Sequence, residues 1–334
     1  MSKKPTIRDV AQAMGISPST VSRALAGQPG VSAKKQQEIL GVCRKMGYFL
    51  SRNEQDGFTF GVIVGNTTSP FNAKIISGLQ HDADRHGHQL LFLYSRNDLA
   101  RERTAFEFLL HSKVDGVILI PANLQSAEHL GEMTERLPTV FLNEELPDRG
   151  KNYVCVDNLL GGRMGTEYLI SLGHRNILYF GWRKGNPSQQ LRYEGYVQAC
   201  CEHGLEPMDI AMAKNAGSSI QTGYQLGKIW LDQGRSPEIT AVFAAADALA
   251  LGLLSALEER GVHVPDDVSL LGFDGIESTE LHRIRLSTVN QPVEKMAQAA
   301  IGLLLEQLRH SQIGFSHHIF QPTLIIRDTC TSIC

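Results

Sequence analysis

From Phe58 onward, short apolar runs alternate with amphipathic segments of helical length, and that alternation restricts the fold more than any other feature. The runs lie at 58–65, 89–94, 116–121, 139–143, 153–156, 176–182, 241–246 and 268–273. Helical spacing fills most of the gaps, near 71–86, 99–112, 159–172, 190–203, 220–232, 247–260 and 293–308. Strands separated by helices pair in parallel through right-handed crossovers, so an α/β fold is predicted. About 275 residues are more than one such sheet usually holds, which predicts two lobes. A cleft at the carboxyl ends of the strands is then the natural small-molecule site. Residues just after the strands should line it: 66 to Phe71, Pro121 to 123, Asn143, Glu144, Trp182, Asp247 and Asp274.

Residues 1–50 follow a different pattern. They carry eight Lys/Arg against Asp9 and Glu38, a net of +6, so the remainder sums to −9 within a total of −3. A basic head on an acidic body fits a polyanionic partner, because neutralised phosphates supply most sequence-independent affinity for DNA. Thr6 to Gly15 reads as a short helix, with Thr6 as cap and Asp9 in the capping-box position. Ile7, Val10, Ala11 and Met14 give it one apolar face. Gly15-Ile16 makes a tight turn, and Ser17-Pro18 opens a second helix near 18–26, where proline lacks only an N–H that has no helical partner. Val21, Ala24 and Leu25 point inward, while Ser19, Thr20, Ser22 and Arg23 point outward. A third helix starts at the cap Ser32, with Ile39, Val42 and Met46 inward and Lys34, Lys35, Arg44 and Lys45 outward. A helix of small hydroxyls plus an arginine suits the major groove: the short side chains allow close approach, and arginine can pair bidentately with guanine. From the residues alone, a three-helix protein-interaction module is the alternative.

The strings Thr6-Ile7-Arg8-Asp9-Val10-Ala11, Gly15-Ile16-Ser17, Thr20-Val21-Ser22-Arg23-Ala24-Leu25, Val31-Ser32 and Gly47-Tyr48 narrow the choice. Over nearly all of residues 6–48 the chain resembles the head of the lactose-repressor/galactose-repressor (LacI/GalR) family of bacterial transcription regulators. The resemblance implies that Pro18, Ser19 and Arg23 read bases, Pro18 through apolar contact such as a thymine methyl. Thr6, Ser17, Thr20 and Ser22 would touch phosphates or cap helices. The family usually continues with a Pro-Asn pair and an Ala-Arg-x-Leu helix whose leucine wedges into the minor groove. Here Phe49-Leu50-Ser51-Arg52-Asn53-Glu54-Gln55-Asp56-Gly57 stands instead, several residues shorter, with Glu54 and Asp56 ill placed toward phosphates and no clear wedge beyond Leu50. The expectation is a flexible linker without minor-groove insertion.

In the body, Ser69-Pro70-Phe71, Val156-Asp157-Asn158, Gly173-His174-Arg175, Arg192-x-x-Gly195, the Asp247 to Gly252 run and Gly272-Phe273-Asp274 resemble the same family. That implies a periplasmic-binding-protein-like body whose ligand contacts are Phe71, Arg192, Asp274 and Gln291. The chemistry fits a polyol: arginine forks onto two oxygens, a carboxylate accepts from two hydroxyls, and a ring packs on C–H faces. Plainer roles stand beside these. Arg192 and Asp274 can form a structural ion pair across the cleft, Phe71 can be helix-start packing, and Asp247 and Asp157 can cap the helices they precede. Two positions depart from the family: Ser218 replaces a common aromatic, and Ala246 replaces an asparagine frequent in sugar binders. Trp182 can supply the missing ring, or simply pack. The ligand therefore stays open between free sugar, sugar acid, sugar phosphate and nucleoside.

Enzyme motifs do not compete, since Gly-x-x-x-x-Gly-Lys-Ser/Thr, Gly-x-Gly-x-x-Gly after a strand, Gly-x-Ser-x-Gly and His-Glu-x-x-His are all missing. His86-Gly87-His88 and His317-His318 read as solvated turn histidines, and Cys43, Cys155, Cys200, Cys201, Cys330 and Cys334 as reduced thiols. Neither a metal nor another cofactor is expected. Apolar stretches fall short of the roughly 20 residues that span a bilayer, and Met1-Ser2-Lys3-Lys4-Pro5 leads into polar sequence, so the expected location is the bacterial cytoplasm, at the nucleoid.

The expected organisation is an all-α helix-turn-helix DNA-binding domain at 1–48, a shortened linker at 49–58 and a two-lobed effector-binding and dimerisation domain with two parallel sheets at 59–334. Two chains would place two heads on a pseudo-palindromic double-stranded DNA operator. A carbohydrate-like effector would change head spacing, with reciprocal effects on either affinity. Ile75, Ile76 and Leu79 suit either a dimer interface or the core, and no leucine heptad follows the last strand, so a homodimer is expected. The competing functions are a ligand-binding or protein-partner module that has lost specific DNA binding and, more remotely, an enzyme.

Overall fold

The computed structural model describes residues 6–25, 30–46, 57–65, 69–121, 125–145, 150–183, 186–213, 217–234, 236–309 and 315–333. Gly47-Tyr48, the linker with Leu50, Glu54 and Asp56, cleft positions 66–68 and 122–123, the Arg44 and Lys45 side chains, and Cys334 lie outside the described residues.

Three helices open the chain: α1 (Ile7–Met14), α2 (Pro18–Leu25) and α3 (Ala33–Lys45). Thr6 and Asp9 form the expected capping box, the Thr6 Oγ1 accepting from the Asp9 N–H while the Asp9 carboxylate accepts from the Thr6 N–H at 2.6 Å. Gly15 closes α1 at φ 63°, a left-handed conformation that suits a residue without Cβ. Val10, Ala11, Val21, Ala24, Ile39 and Cys43 make a small core of their own, and the Gln36 side-chain amide donates to the Ala24 carbonyl at 2.8 Å, tying α3 to the end of α2. So small a core leans on its caps. Thr6→Ala is expected to cost the head about 1 kcal/mol, read as faster amide exchange across α1 with exchange in the body unchanged.

The body begins with β1 (Thr59–Val64), α4 (Pro70–Arg85), β2 (Gln89–Tyr94), α5 (Leu99–His111), β3 (Gly116–Leu119), α6 (Ser126–Leu130), β4 (Thr139–Leu142) and β5 (Asn152–Val156). It continues with α7 (Asn158–Ser171), β6 (Ile177–Trp182), α8 (Pro187–Glu202), β7 (Met208–Ala211), α9 (Ile220–Asp232), β8 (Ala241–Ala244), α10 (Asp247–Glu259), β9 (Ser269–Asp274) and β10 (Ser287–Asn290). Last come α11 (Val293–Arg309), β11 (His317–Phe320) and β12 (Thr323–Ile325). Two six-stranded sheets result, ordered β11-β5-β4-β3-β1-β2 and β12-β10-β9-β8-β6-β7. The first is parallel throughout. The second is parallel except for the edge strand β12, which runs antiparallel to β10, so both sheets are predominantly parallel, as expected.

Each sheet with its helices is a lobe, and the chain passes between lobes after β5, after β10 and after β11. α7 and α8 cover the second sheet in unusually close contact. A Cβ on Gly162 of α7 would overlap the backbone carbonyl of Arg192 on α8, so only glycine fits that crossing.

Several expectations change. Ile75 and Leu79 are core residues, at 1% and 0% exposure, and of the three only Ile76 reaches the surface. His88 is not solvated: it is buried between Phe58 and Phe60, its Nδ1 accepts from the Phe58 N–H at 3.1 Å, and burial holds its pKa below the ordinary histidine value. His86, His317 and His318 are exposed, His317 stacking on Tyr153. Among the described residues no helix is long and apolar enough to cross a membrane, and no group of His, Cys, Asp or Glu could hold a metal ion.

Candidate functional site

Two surfaces carry the sequence-derived site residues. On the head, Pro18, Ser19, Ser22 and Arg23 are exposed on one face of α2, while Val21 and Ala24 anchor the opposite face. Ser17 Oγ accepts from the Thr20 N–H at 3.1 Å and lies 2.8 Å from both Ser19 Oγ and Thr20 Oγ1. Thr6 and Ser17 are thus occupied as caps, and the free edge of the helix is Pro18, Ser19, Ser22 and Arg23. The Arg23 Nε donates to the Ser19 carbonyl at a long 3.4 Å, so the guanidinium follows the helix and is presented to solvent.

In the body, a cavity of about 170 Å³ lies between the lobes. The first lobe contributes Ser69, Phe71, Asn97, Pro121, Asn143 and Glu144, all at strand ends or at the start of α4. The second contributes Arg183, Ser188, Gln189, Arg192, Ser218 and Asp274. Ser69, Asn186 and Ser219 cap α4, α8 and α9, and α10 begins beside the same cavity at Ala246. Four helix N-termini therefore face one space, which favours oxygen-rich ligands. Among the described residues, five without a glycine's freedom have positive φ, and three of them line this cavity: Asn97 at 57°, Asn143 at 72° and Asp274 at 122°. Backbone strain of this kind concentrates at functional sites.

Arg192 and Asp274 meet at the floor, 3.2 Å apart and 4% and 5% exposed. Arg192 also donates from Nε to Asn158 at 2.8 Å and from Nη1 to the Ala245 carbonyl at 2.8 Å, with its guanidinium carbon 3.7 Å from the centre of the Phe273 ring. Both partners stand on the second lobe, so the ion pair does not bridge the cleft. Gln291 is fully buried behind Asp274, donating to its Oδ1 at 2.7 Å, and its own Oε1 has no partner among the described residues. Burial pushes the Asp274 carboxyl above its ordinary value, against the pull of Arg192, Gln291 and Lys74.

Two other assignments change. Asp247 is the first residue of α10, not its cap; the cap position is Ala246. Its carboxylate accepts from Thr288 Oγ1 at 2.6 Å and from the Ile276 N–H at 2.9 Å, bracing the turn after β9, and burial plus the neighbouring Asp274 push it up to about 8. Asp157 does cap α7, accepting from the Leu160 N–H at 2.8 Å. Trp182 is not in the cavity wall. It stacks on Tyr193 at 4.2 Å and donates to Asp209 at 2.7 Å. The place of the absent aromatic is taken by polar groups, Gln189 donating to Ser218 Oγ at 2.8 Å.

Sequence reasoning missed Lys74, Ser188 and Gln189. α8 starts three residues before the expected 190, at Asn186-Pro187, a cap-plus-proline signal like the Ser69-Pro70 of α4. Lys74 crosses from α4 to the second lobe, its Nζ donating to the Gly275 carbonyl at 2.6 Å, Asn290 Oδ1 at 3.0 Å and the Asp274 carbonyl at 3.2 Å. An exposed lysine and an interlobe one look alike in sequence.

Comparison with known proteins adds names to this geometry. A family profile for bacterial regulatory proteins of the lacI family matches residues 6–50, and one for a periplasmic binding protein-like domain matches residues 166–330. The HTH-type transcriptional repressor CytR of Escherichia coli (strain K12) is 30% identical over 98% of this chain and 97% of its own length. Among solved structures, the cellobiose complex of the transcriptional regulator CelR is 26% identical with a TM-score of 0.71, covering 97% of this chain and 99% of that one. The Lac repressor dimer bound to operator and an anti-inducer, 24% identical with a TM-score of 0.73 over 99% of this chain and 100% of that one, shares the fold.

Proposed function

The chain belongs to the LacI family of bacterial regulatory proteins, and from that premise we propose a repressor whose operator affinity is set by a small carbohydrate-like effector held between its lobes. It is a DNA-binding transcription regulator, and its relatives are regulators, not enzymes. We read residues 1–48 as the DNA-binding domain, 49–58 as the linker and 59–334 as the effector-binding and dimerising body. Pro18, Ser19 and Arg23 read bases, with Thr20 and Ser22 beside the phosphates. Phe71, Arg192 and Asp274 hold the effector, Gln291 fixes Asp274, and Trp182 serves packing. The cellobiose bound to CelR supports a carbohydrate-like ligand here. Two chains pair through their bodies on a pseudo-palindrome, which places the protein on the bacterial nucleoid.

The observation that carries this reading is the α2 face, four adjacent exposed side chains ending in Arg23 above a buried anchor of Val21 and Ala24. Selecting genomic fragments with the purified protein should enrich a short pseudo-palindrome. On that site Arg23→Ala is expected to lower affinity at least about tenfold, since a bidentate base contact is worth about 1–3 kcal/mol, while binding to unrelated DNA changes little. Equal loss on all sequences would reduce Arg23 to a phosphate contact.

A further inference from the structure

One stretch of the cavity wall takes no part in the Arg192–Asp274 cluster. Glu144, in the turn after β4, is buried and lines the cavity. Its Oε2 accepts from Ser188 Oγ of the opposite lobe at 3.0 Å, and its Oε1 makes no hydrogen bond among the described residues. The same serine lies 3.1 Å from the Asn143 carbonyl, so one hydroxyl proton serves two acceptors. Asn143 also lines the cavity, held at φ 72°, and its Oδ1 is a buried acceptor without a partner among the described residues. Arg192 and Arg183 favour charge on Glu144, yet burial outweighs them and pushes its carboxyl up to about 7. Among the described residues, Asn143 Oδ1 and Glu144 Oε1 are thus acceptors that the one Ser188 proton does not serve.

We propose that Asn143 and Glu144 form the specificity subsite of the effector cavity and take a ring-bound amino group; the inference rests on that cavity being the effector site. A hydroxyl offers one hydrogen and brings two lone pairs toward groups that are already acceptors. An amino group brings at least two N–H bonds. On an aromatic ring its lone pair is delocalised and makes no acceptor, and on a sugar it is protonated and matches the Glu144 carboxylate. Amino sugars and amino-bearing nucleobases share this chemistry. The Arg192–Asp274 floor is left for hydroxyls on the same ligand.

The test is calorimetric titration of the full-length protein with glucosamine against glucose and adenosine against inosine. One amino member should bind at least about tenfold more tightly than its amino-free counterpart, because a site built around a hydrogen-bonded group rejects the analogue lacking it. Which pair shows the difference identifies the source of the amino group. Glu144→Gln, nearly isosteric but bringing its own donor, should remove most of that preference. An unfolding midpoint and a circular-dichroism spectrum like those of the unsubstituted protein would show that the variant is folded.

Equal or tighter binding of the amino-free member to the unsubstituted protein overturns the subsite, as does a preference that survives Glu144→Gln. If glucose or inosine binds alone and Arg192→Met abolishes that binding, the cavity stands as the effector site and the amino subsite falls. If none of the four shows Arg192-dependent binding, the cavity reading fails and the subsite fails with it.

Discussion

Arg192→Met is expected to abolish the effector response and to lower the stability of the second lobe by about 3–5 kcal/mol, the cost of breaking a buried pair from one side. The side chain holds Asn158, the Ala245 carbonyl and Asp274 at once. Methionine fills the space over Phe273 but takes a donor from all three acceptors. The Asp274 carboxylate, 5% exposed, keeps its Gln291 hydrogen bond while losing its paired charge. Lysine does not rescue it, because a single ammonium cannot reproduce a planar fork aimed at three partners. Urea unfolding measures the loss. Adding Asp274→Asn to Arg192→Met should recover part of the stability, by removing the uncompensated charge, and none of the effector binding. A single change that is harmless to both would return the pair to ordinary packing.

Gly162→Ala should disturb the same site from outside it. The new methyl would meet the Arg192 backbone carbonyl, so α7 and α8 must move apart and carry Arg192 with them. Overpacking of this kind costs about 1–3 kcal/mol, against a gain of about 1 kcal/mol from the better helix propensity of alanine. The net stability loss is modest, and the effector affinity is expected to fall about tenfold or more, equivalent to about 1.4 kcal/mol. Operator affinity without effector should hardly change. If effector binding is intact, the interhelical contact does not position Arg192.

Much of this was legible because local signals and tertiary environment agree. Thr6 with Asp9, Gly15, and Ser17 with Pro18 punctuate the head, and β1 to β6 with β8 and β9 are apolar runs ended by loop residues. The remaining strands read poorly for physical reasons. β10 is Ser-Thr-Val-Asn, whose Ser287 and Thr288 are buried by hydrogen bonding and not by hydrophobicity. β7, β11 and β12 are sheet edges, and the residues His317 and His318 give no apolar signal. At the cavity, strand ends pointed correctly to Phe71, Asn143, Glu144 and Asp274. Position after a strand could not separate Trp182, which turns toward Tyr193, from a true wall residue, nor show that Asp247 braces β10.

The three passages between lobes have a mechanical consequence. β11 and β12 are edge strands and β5 and β10 their neighbours, so the three tethers lie side by side. Parallel short tethers resist sliding and torsion of one body against the other and leave bending as the soft coordinate. Lys74 grips one tether at Asn290, and Ser188 meets Glu144 across the opening, so the two cross-links load that same coordinate. The head joins the chain just before β1, on the first lobe. Whatever bends the lobes therefore moves the start of β1, where the head's linker is attached, and work done inside the cavity reaches that point along a single direction of travel.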